Sequence, residues 1–139
     1  MTTADSPRII HIAAGLLTRA DGMTLVVRKH GTTAFLQPGG KLEPGELPEA
    51  ALRRELGEEL SIIGTLGEPV PIGQFTARAA NEADAIVVAD LFTLEVSGEV
   101  TPQAEIEEIR WIDPTDPGSI ELAPLTRDSV LPALLRVRS

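Results

Sequence analysis

The feature that most constrains this 139-residue chain is a breaker cluster followed by a short helix rich in glutamate. The cluster Pro38-Gly39-Gly40 ends any regular element and predicts a loop. The helix is predicted to begin near Pro48, since proline suits the first helical position, and to run to about Leu60. Leu47 then occupies the N-cap, where it cannot accept a hydrogen bond from an orphan N–H, at a cost of about 1 kcal/mol. The stretch is therefore predicted to be a loop that leads into a helix.

Two faces of this helix differ in chemistry. At about 100° per residue, Glu55, Glu58 and Glu59 fall within an arc roughly 100° wide. An apolar stripe beside them can bury in the core, and it consists of Leu52, Leu56 and Leu60. Carboxylates three and four residues apart repel by a few tenths of a kcal/mol per pair, and a divalent cation would reverse that effect. Oxygen ligands suit Mg²⁺ or Mn²⁺. A solvated acidic face is the alternative interpretation.

Strands are predicted on both sides of this helix. Two of them open the chain, at Arg8 to Leu17 and Thr24 to Arg28, joined by a turn at Asp21-Gly22. Three follow the helix, at Val70 to Thr76, Ala85 to Val96 and Glu108 to Ile112, with a turn at Ser97-Gly98. A closing helix is predicted from Ser129 to Val137, starting or bending near Pro132. The pattern predicts an α/β fold with a mixed or mostly antiparallel sheet, and the length fits a single domain over residues 1–139.

Composition limits the classes of partner and compartment. The formal net charge of −9 repels a polyphosphate backbone, so long nucleic acids are not expected as partners. No apolar run approaches the roughly 18 to 20 residues of a membrane span, so no membrane partner is expected. Met1 to Pro7 lacks the basic stretch and apolar core of a secretory signal, and the chain has no cysteine, which together predict the cytoplasm. A small anion can still bind through divalent cations, so nucleotides remain open as substrates.

The residues from Gly40 to Ile62 resemble the Nudix box, G-x5-E-x7-R-E-U-x-E-E-x-G-U with U aliphatic. The matching positions are Gly40, Glu46, Arg54, Glu55, Leu56, Glu58, Glu59 and Ile62. A match in a fixed 23-residue frame is far more specific than a lone glycine-rich loop. Ser61 is the one departure, standing where glycine is usual. Glycine there commonly ends the helix at positive φ, so either Ser61 accepts strain or the chain leaves the helix by another route.

The resemblance implies an α/β/α sandwich with a mixed sheet, in which the box forms a loop, a helix and a loop. It also implies a metal site whose glutamate ligands are Glu55, Glu58 and Glu59. The carbonyl of Gly39 commonly contributes a further ligand, and Glu46 and Arg54 would pair to brace the loop against the helix. Water that attacks a diphosphate must lose a proton, and either Glu59 or Glu55 would accept it. Mg²⁺, or Mn²⁺ in its place, is the implied cofactor.

A further metal ligand is predicted on the loop before the last strand. In several relatives a carboxylate stands six residues ahead of a tryptophan, and Glu105 stands six residues ahead of Trp111. Glu107 and Glu108 compete for this role. The alternative is that all three acidic residues only solvate the loop.

Candidate substrate contacts lie upstream of the box. Arg28 and Lys29 end a strand that should run toward the box, so they are candidates for binding the phosphates, although such residues are often simply solvated. Phe35 and Gln37 are candidates for lining a base pocket, while Phe35 is equally compatible with the core. The two histidines of the chain are isolated from any metal-ligand spacing, and no catalytic role is predicted for them.

The resemblance implies hydrolysis of a phosphoanhydride bond in a nucleoside diphosphate linked to another group. The Gly39 to Glu43 run is similar to that of MutT-type nucleoside triphosphate pyrophosphatases, so a (d)NTP is the expected small nucleotide substrate. The chain lacks the tyrosine typical of relatives that cleave diadenosine polyphosphates, and Ala77 sits near the proline position of ADP-ribose-specific relatives. One alternative is a Nudix-fold sensor or interaction module without catalysis. Another, an isopentenyl diphosphate isomerase, would be expected to contain a catalytic cysteine. A homodimer is compatible with the family.

Overall fold

The computed structural model describes residues 8–78 and 84–138, and within them a sheet lies between two helices. The strands are β1 (Arg8–Thr18), β2 (Thr24–Lys29), β3 (Gly39–Lys41), β4 (Leu60–Leu66), β5 (Val70–Arg78), β6 (Ala85–Pro102) and β7 (Ile106–Ile112). The helices are α1 (Pro48–Glu59) and α2 (Leu131–Arg138), and a π-helical turn, Thr126–Val130, directly precedes α2.

The sheet is mixed, as predicted. Its order is β4-β6-β1-β2-β7, with β3 paired to β1 and β5 paired to β6. Only the pairing of β1 with β6 is parallel among the strand pairs of the described residues. The predicted opening hairpin is present, with Thr18 opposite Thr24. Asp21 stabilises its turn, because one carboxylate oxygen accepts a 3.0 Å hydrogen bond from the N–H of Met23.

Alternate residues of β1 place the two helices on opposite faces of the sheet. Ala13 and Leu17 belong to a core cluster with the buried apolar residues of α1. Ala14 and Leu16 belong to a second cluster with Val130, Leu131 and Leu134. The predicted apolar stripe of α1 is buried in the first cluster, where each leucine contributes about 1.5–3 kcal/mol. The layers are therefore α/β/α.

The prediction of a loop at Gly39 and Gly40 is wrong, because both residues lie in β3. Gly39 stands opposite Ala14, and Gly40 stands opposite Ala13. Gly39 has a φ of 147°, and a β-carbon at this position would overlap the carbonyl oxygen of Ala13. Glycine therefore allows the two backbones to approach closely, and β3 holds the start of the box against β1.

The turn predicted at Ser97-Gly98 is also wrong, because β6 continues to Pro102 and pairs there with β4, a strand that was not predicted. Gly98 stands opposite Gly64 in this pair. A β-carbon on either glycine would overlap the backbone of the other strand. The glycines thus permit close strand contact, whereas in the sequence a serine-glycine pair is typical of a turn.

Helix α1 begins as predicted, with Leu47 at the N-cap and no side-chain cap hydrogen bond. It ends by a route other than a positive-φ residue. Leu60 is extended, with φ −134° and ψ 146°, and Ser61 lies in β4 opposite Thr101. The side-chain amide of Gln103 donates hydrogen bonds to the carbonyls of Gly57 at 2.7 Å and Leu60 at 3.1 Å. It thereby satisfies carbonyls that a helix end leaves unpaired.

The closing helix starts near Pro132, as predicted, since α2 begins at Leu131. The N–H of Leu131 donates to the carbonyl of Thr126, five residues back, which makes the preceding turn π-helical. None of the helices within residues 8–78 and 84–138 combines the length and apolarity needed to cross a membrane.

Candidate metal and catalytic site

The three glutamates of the predicted acidic face differ sharply in exposure. Glu59 is 2% exposed, whereas the side chains of Glu55 and Glu58 are 15% and 57% exposed. Their positions around α1 explain this order. Glu59 lies about 20° from the buried Leu52, Glu55 about 60° and Glu58 about 120°. The closer a glutamate lies to the apolar stripe, the more deeply its side chain is therefore buried.

Glu59 is a buried carboxylate with an oxygen that has no partner. Its Oε1 atom accepts a 3.3 Å hydrogen bond from the N–H of Gly39. Its Oε2 atom is the one buried side-chain polar atom in the described part of the chain that lacks a hydrogen bond. Burial, with a smaller contribution from the neighbouring Glu55 carboxyl, raises the pKa of Glu59 to about 8, and the Gly39 N–H and Lys29 only partly offset this. A positive charge at this point would offset both the cost of burying the ionised carboxylate and its repulsion by Glu55.

Gly40, the first residue of the box, makes room for Glu55. A β-carbon on Gly40 would overlap the carboxylate of Glu55. The backbone of β3 and the side chain of Glu55 are therefore in close contact, and any larger residue at this position would displace the carboxylate. Arg54 holds the same carboxylate from the other side, since its Nη1 atom donates to Glu55 Oε2 at 2.8 Å.

Arg54 and Glu46 form the predicted pair. Nε and Nη2 of Arg54 each donate to one Glu46 oxygen at 2.9 Å, a two-bond geometry, and Nη2 also donates to the carbonyl of Lys41 at 3.0 Å. Hydrogen bonds from Arg54, together with one from the N–H of Glu43, lower the pKa of Glu46 to about 2. Arg54 thus ties the segment between β3 and α1 to the helix.

The same guanidinium separates two of the predicted metal ligands. Arg54 Nη1 lies 2.8 Å from Glu55 Oε2 and 3.4 Å from Glu58 Oε2. Within residues 8–78 and 84–138, no three His, Cys, Asp or Glu side chains form a metal-holding group in this arrangement. The donor chemistry nevertheless fits a hard divalent cation, because the Glu55 carboxyl lies beside Glu59, whose buried Oε2 atom has no partner.

Glu105 lies beside Lys29, whose positive charge also lowers the pKa of Glu59. It directly precedes β7, where the N–H of His30 donates to its carbonyl at 3.0 Å. Lys29 Nζ lies 3.7 Å from Glu105 Oε1, and the same lysine lowers the pKa of Glu59. The side chain of Glu105 is 60% exposed, so it can reorient. Lys29 therefore connects the predicted extra ligand to the α1 carboxylates.

The two competing acidic residues are engaged elsewhere. Glu107 pairs with His30 at 2.7 Å, and Glu108 pairs with Arg28 at 3.1 Å. Arg28 also donates from Nη1 to the carbonyl of Thr32 at 2.8 Å. Of the two predicted phosphate contacts, Arg28 is thus held within the fold, whereas Lys29 faces the site.

The two candidates for the base pocket have different surroundings. Phe35 is in the second core cluster, which matches the alternative interpretation, and the guanidinium of Arg110 lies 5.4 Å from its ring centre. Gln37 is 3% exposed, and its Oε1 atom accepts a 2.5 Å hydrogen bond from the hydroxyl of the fully buried Thr126. Gln37 is therefore a fixed polar group two residues from Gly39.

Sequence reasoning missed Gln103, which joins the site's two segments. Its N–H donates to the carbonyl of Glu59 at 2.9 Å, in addition to the side-chain bonds at the end of α1. The next residue, Ala104, has a φ of 54°, which turns the chain between Gln103 and Glu105. No local pattern around a single glutamine indicates such a contact, because its partners lie more than 40 residues away, with separations of 46 and 43.

Comparisons with family models, with curated proteins and with solved structures all indicate the same family. The model of the NUDIX domain matches residues 10–134. A MutT-like protein of Streptomyces ambofaciens is 31% identical over 115 residues, which cover 81% of this chain and 70% of that protein. An 8-oxo-dGTP diphosphatase of Haemophilus influenzae is 38% identical over 65 residues, 44% of this chain and 48% of that enzyme. The crystal structure of a MutT protein from Methanosarcina mazei Go1 has the same fold, with a TM-score of 0.77 and 22% identity over 96% of this chain and 97% of that chain.

Proposed function

Because this chain belongs to the Nudix pyrophosphohydrolase family, we propose that it hydrolyses a phosphoanhydride bond in a (d)NTP or a similar small nucleotide, using a divalent cation. Products from a (d)NTP would be a nucleoside monophosphate and pyrophosphate. The Gly39 to Glu43 run supports this substrate class, as does the similarity to the Haemophilus 8-oxo-dGTP diphosphatase. This chain aligns with only about half of that enzyme, 48% of its length, so the base is not carried over.

The observation that carries the proposal is the Glu59 carboxylate, buried beside Glu55 with one oxygen that has no partner. Bound Mg²⁺ or Mn²⁺ would neutralise charge on the bridging and leaving oxygens of a diphosphate. The proposed ligands are the carboxylates of Glu55, Glu58, Glu59 and Glu105 and the carbonyl of Gly39. Glu58 would have to exchange its weak contact with Arg54, 3.4 Å long, for the cation.

The remaining proposed roles belong to proton transfer and positioning. Glu59 or Glu55 would accept the proton of the attacking water. Arg54 and Glu46 would keep the segment before α1 in place through their paired hydrogen bonds. Lys29 would contact the phosphates, since its ammonium group already faces the acidic site.

The test is a panel of ribo- and deoxyribonucleoside triphosphates incubated with Mg²⁺, with Mn²⁺ and with EDTA. We expect equal amounts of pyrophosphate and nucleoside monophosphate from at least one nucleotide, only with a divalent cation. Glu49→Gln is a matched control, because Glu49 lies on the same helix and pairs with Arg53 on its exposed side. If every nucleotide remained intact with either metal, the proposal would fail and the noncatalytic sensor would replace it.

A further inference from the structure

Four buried polar side chains stand out in the described residues, and two of them have no part in the proposed reaction. The four are Thr24, Gln37, Glu59 and Thr126. Thr24 donates to the carbonyl of Leu17 at 2.9 Å, which satisfies it within the sheet. Glu59 belongs to the site above. Gln37 and Thr126 are 89 residues apart and hydrogen-bond only to each other through their side chains.

The amide of Gln37 has its two ends in different environments. Its oxygen accepts from Thr126, so that end is turned into the protein. Its nitrogen donates to no group within residues 8–78 and 84–138. If that nitrogen were fully buried, it would be a buried polar atom without a hydrogen bond, but Glu59 Oε2 is the only such side-chain atom in these residues. The N–H₂ group of Gln37 must therefore reach the surface, although the residue is only 3% exposed. A hydrogen-bond donor that is held in place at the surface can recognise an acceptor on a ligand.

The backbone around Thr126 holds its side chain in place. Thr126 opens the π-helical turn, and its carbonyl receives the N–H of Leu131. Pro132, in the first turn of α2, has no N–H to donate to a carbonyl four residues back, which favours the wider turn. The hydroxyl of Thr126 is fully buried and donates to Gln37. Helical turns of this kind are frequent at functional sites.

Gln37 lies close to the candidate active site along the chain. Gln37 is two residues before Gly39, whose N–H binds Glu59. Two extended residues span about 7 Å, so a nucleotide whose phosphates lie at the glutamates can reach Gln37 with its base.

We propose that Gln37, held by Thr126, determines base specificity by donation alone and selects 6-oxopurine nucleotides over 6-aminopurine nucleotides; this rests on the proposed function. An amide reads adenine by accepting from the 6-amino group while it donates to N7. The oxygen of Gln37 is turned inward to the fully buried Thr126 and does not face a base, so this two-bond mode is closed. A 6-oxopurine presents two adjacent acceptors, O6 and N7, to the free N–H₂ group.

The test compares dITP with dATP, whose bases differ at C6, as 6-oxo or 6-amino, and in the N1 proton that accompanies the 6-oxo group. We expect the wild type to show a higher kcat/KM for dITP. Gln37→Glu replaces the donor with an acceptor of similar shape, and it should lower the dITP to dATP ratio by at least about 10-fold. Thr126→Val should lower the ratio several-fold, and Thr126→Ser, which keeps the hydroxyl, should restore it. Gln74→Glu, a matched change at an exposed glutamine on β5, should leave the ratio unchanged.

A ratio measured on one enzyme preparation is insensitive to partial unfolding, so a purely structural role of Gln37 would not move it. A wild type that prefers dATP, or a Gln37→Glu variant with the wild-type ratio, would overturn the inference. If no nucleotide is hydrolysed, the proposed function fails separately. The ratio of the two Kd values, measured by calorimetry on the same proteins, then decides whether Gln37 selects the base, and equal or absent binding counts against it.

Discussion

The buried carboxylate of Glu59 makes the stability of the metal-free protein depend on pH. Its pKa is raised from 4.5 to about 8 in the folded state, mainly by burial. Below the unfolded value both states hold the proton, and Glu59 carries no charge. As the pH rises from there to about 8, the unfolded state releases the proton while the folded state retains it, so the free energy of unfolding falls. Above the folded value the loss is complete.

We therefore expect Glu59→Gln to be more stable than the wild type in EDTA at pH 8 and equally stable near pH 4. Glutamine keeps the shape of the side chain and removes its ionisation. Urea unfolding at several pH values would measure the difference, with Glu49→Gln as the exposed control. Parallel pH profiles for the wild type and Glu59→Gln would show that Glu59 is not desolvated in the folded protein.

The same substitution should abolish most of the activity. Glu58→Gln and Glu59→Gln are each expected to lower kcat at least about 10²-fold at saturating Mg²⁺, since each removes a proposed ligand or base. Circular dichroism would check that both variants fold. Near-normal turnover in either variant would exclude that glutamate from the site.

Gly40 offers a test of the space that Glu55 requires. Gly40→Ala places a methyl group where the Glu55 carboxylate lies, so we expect kcat to fall at least about 10-fold while the protein stays folded. Gly57→Ala is the matched control, because nothing lies within 4 Å of a β-carbon there. In the exposed interior of α1 it should raise the free energy of unfolding by about 0.5–1 kcal/mol without changing kcat. Equal kcat for both variants would contradict the close contact.

Residue spacing was sufficient to predict that the box glutamates share one side of a helix, because the period of the helix alone decides this. It was not sufficient to rank their burial, which depends on how β1 and β3 pack against α1. Likewise, the sequence cannot indicate that Arg28 is held by Glu108, since the two are 80 residues apart and meet only because β2 pairs with β7.

At the scale of elements, the end of α1 gives the sharpest test. Ser61 is paired in β4, where glycine costs backbone entropy. We expect Ser61→Gly to lower the free energy of unfolding by about 0.5–1 kcal/mol, measured by urea unfolding. Thr101→Gly, at the position opposite Ser61, should cause a similar loss. If Ser61→Gly instead stabilised the protein while Thr101→Gly destabilised it, the helix would end at a positive-φ residue after all.

The elements that the sequence predicted well are those with local signals. The hairpin of β1 and β2 has a turn dipeptide, and α1 has an apolar stripe and an N-terminal proline. The missed strand β4 and the extension of β6 have no such signal. Gly64 and Gly98 are needed for close contact between two strands. The sequence alone does not distinguish a glycine that such a contact requires from one that a turn requires.

At the scale of the whole molecule, the net charge of −9 complicates any measurement of metal binding. Added salt screens the repulsion among the acidic side chains and stabilises an acidic protein even without a specific site. The box glutamates contribute part of that charge, so a rise in Tm with Mg²⁺ has two sources. They can be separated because screening depends on ionic strength, whereas binding depends on the ligands of the site.

We expect Mg²⁺ to raise Tm of the wild type well beyond NaCl at equal ionic strength. A ligand at 100 times its Kd stabilises the folded state by about 2.7 kcal/mol, and for a domain of this size each kcal/mol shifts Tm by about 3–4 °C. Thermal unfolding in matched MgCl₂ and NaCl series would show an excess shift of up to roughly 10 °C. Glu55→Gln and Glu59→Gln should lose the excess and keep the NaCl response, whereas Glu49→Gln should keep both. An equal response to the two salts in the wild type would mean that Mg²⁺ acts only on the overall charge and that the box glutamates do not bind it.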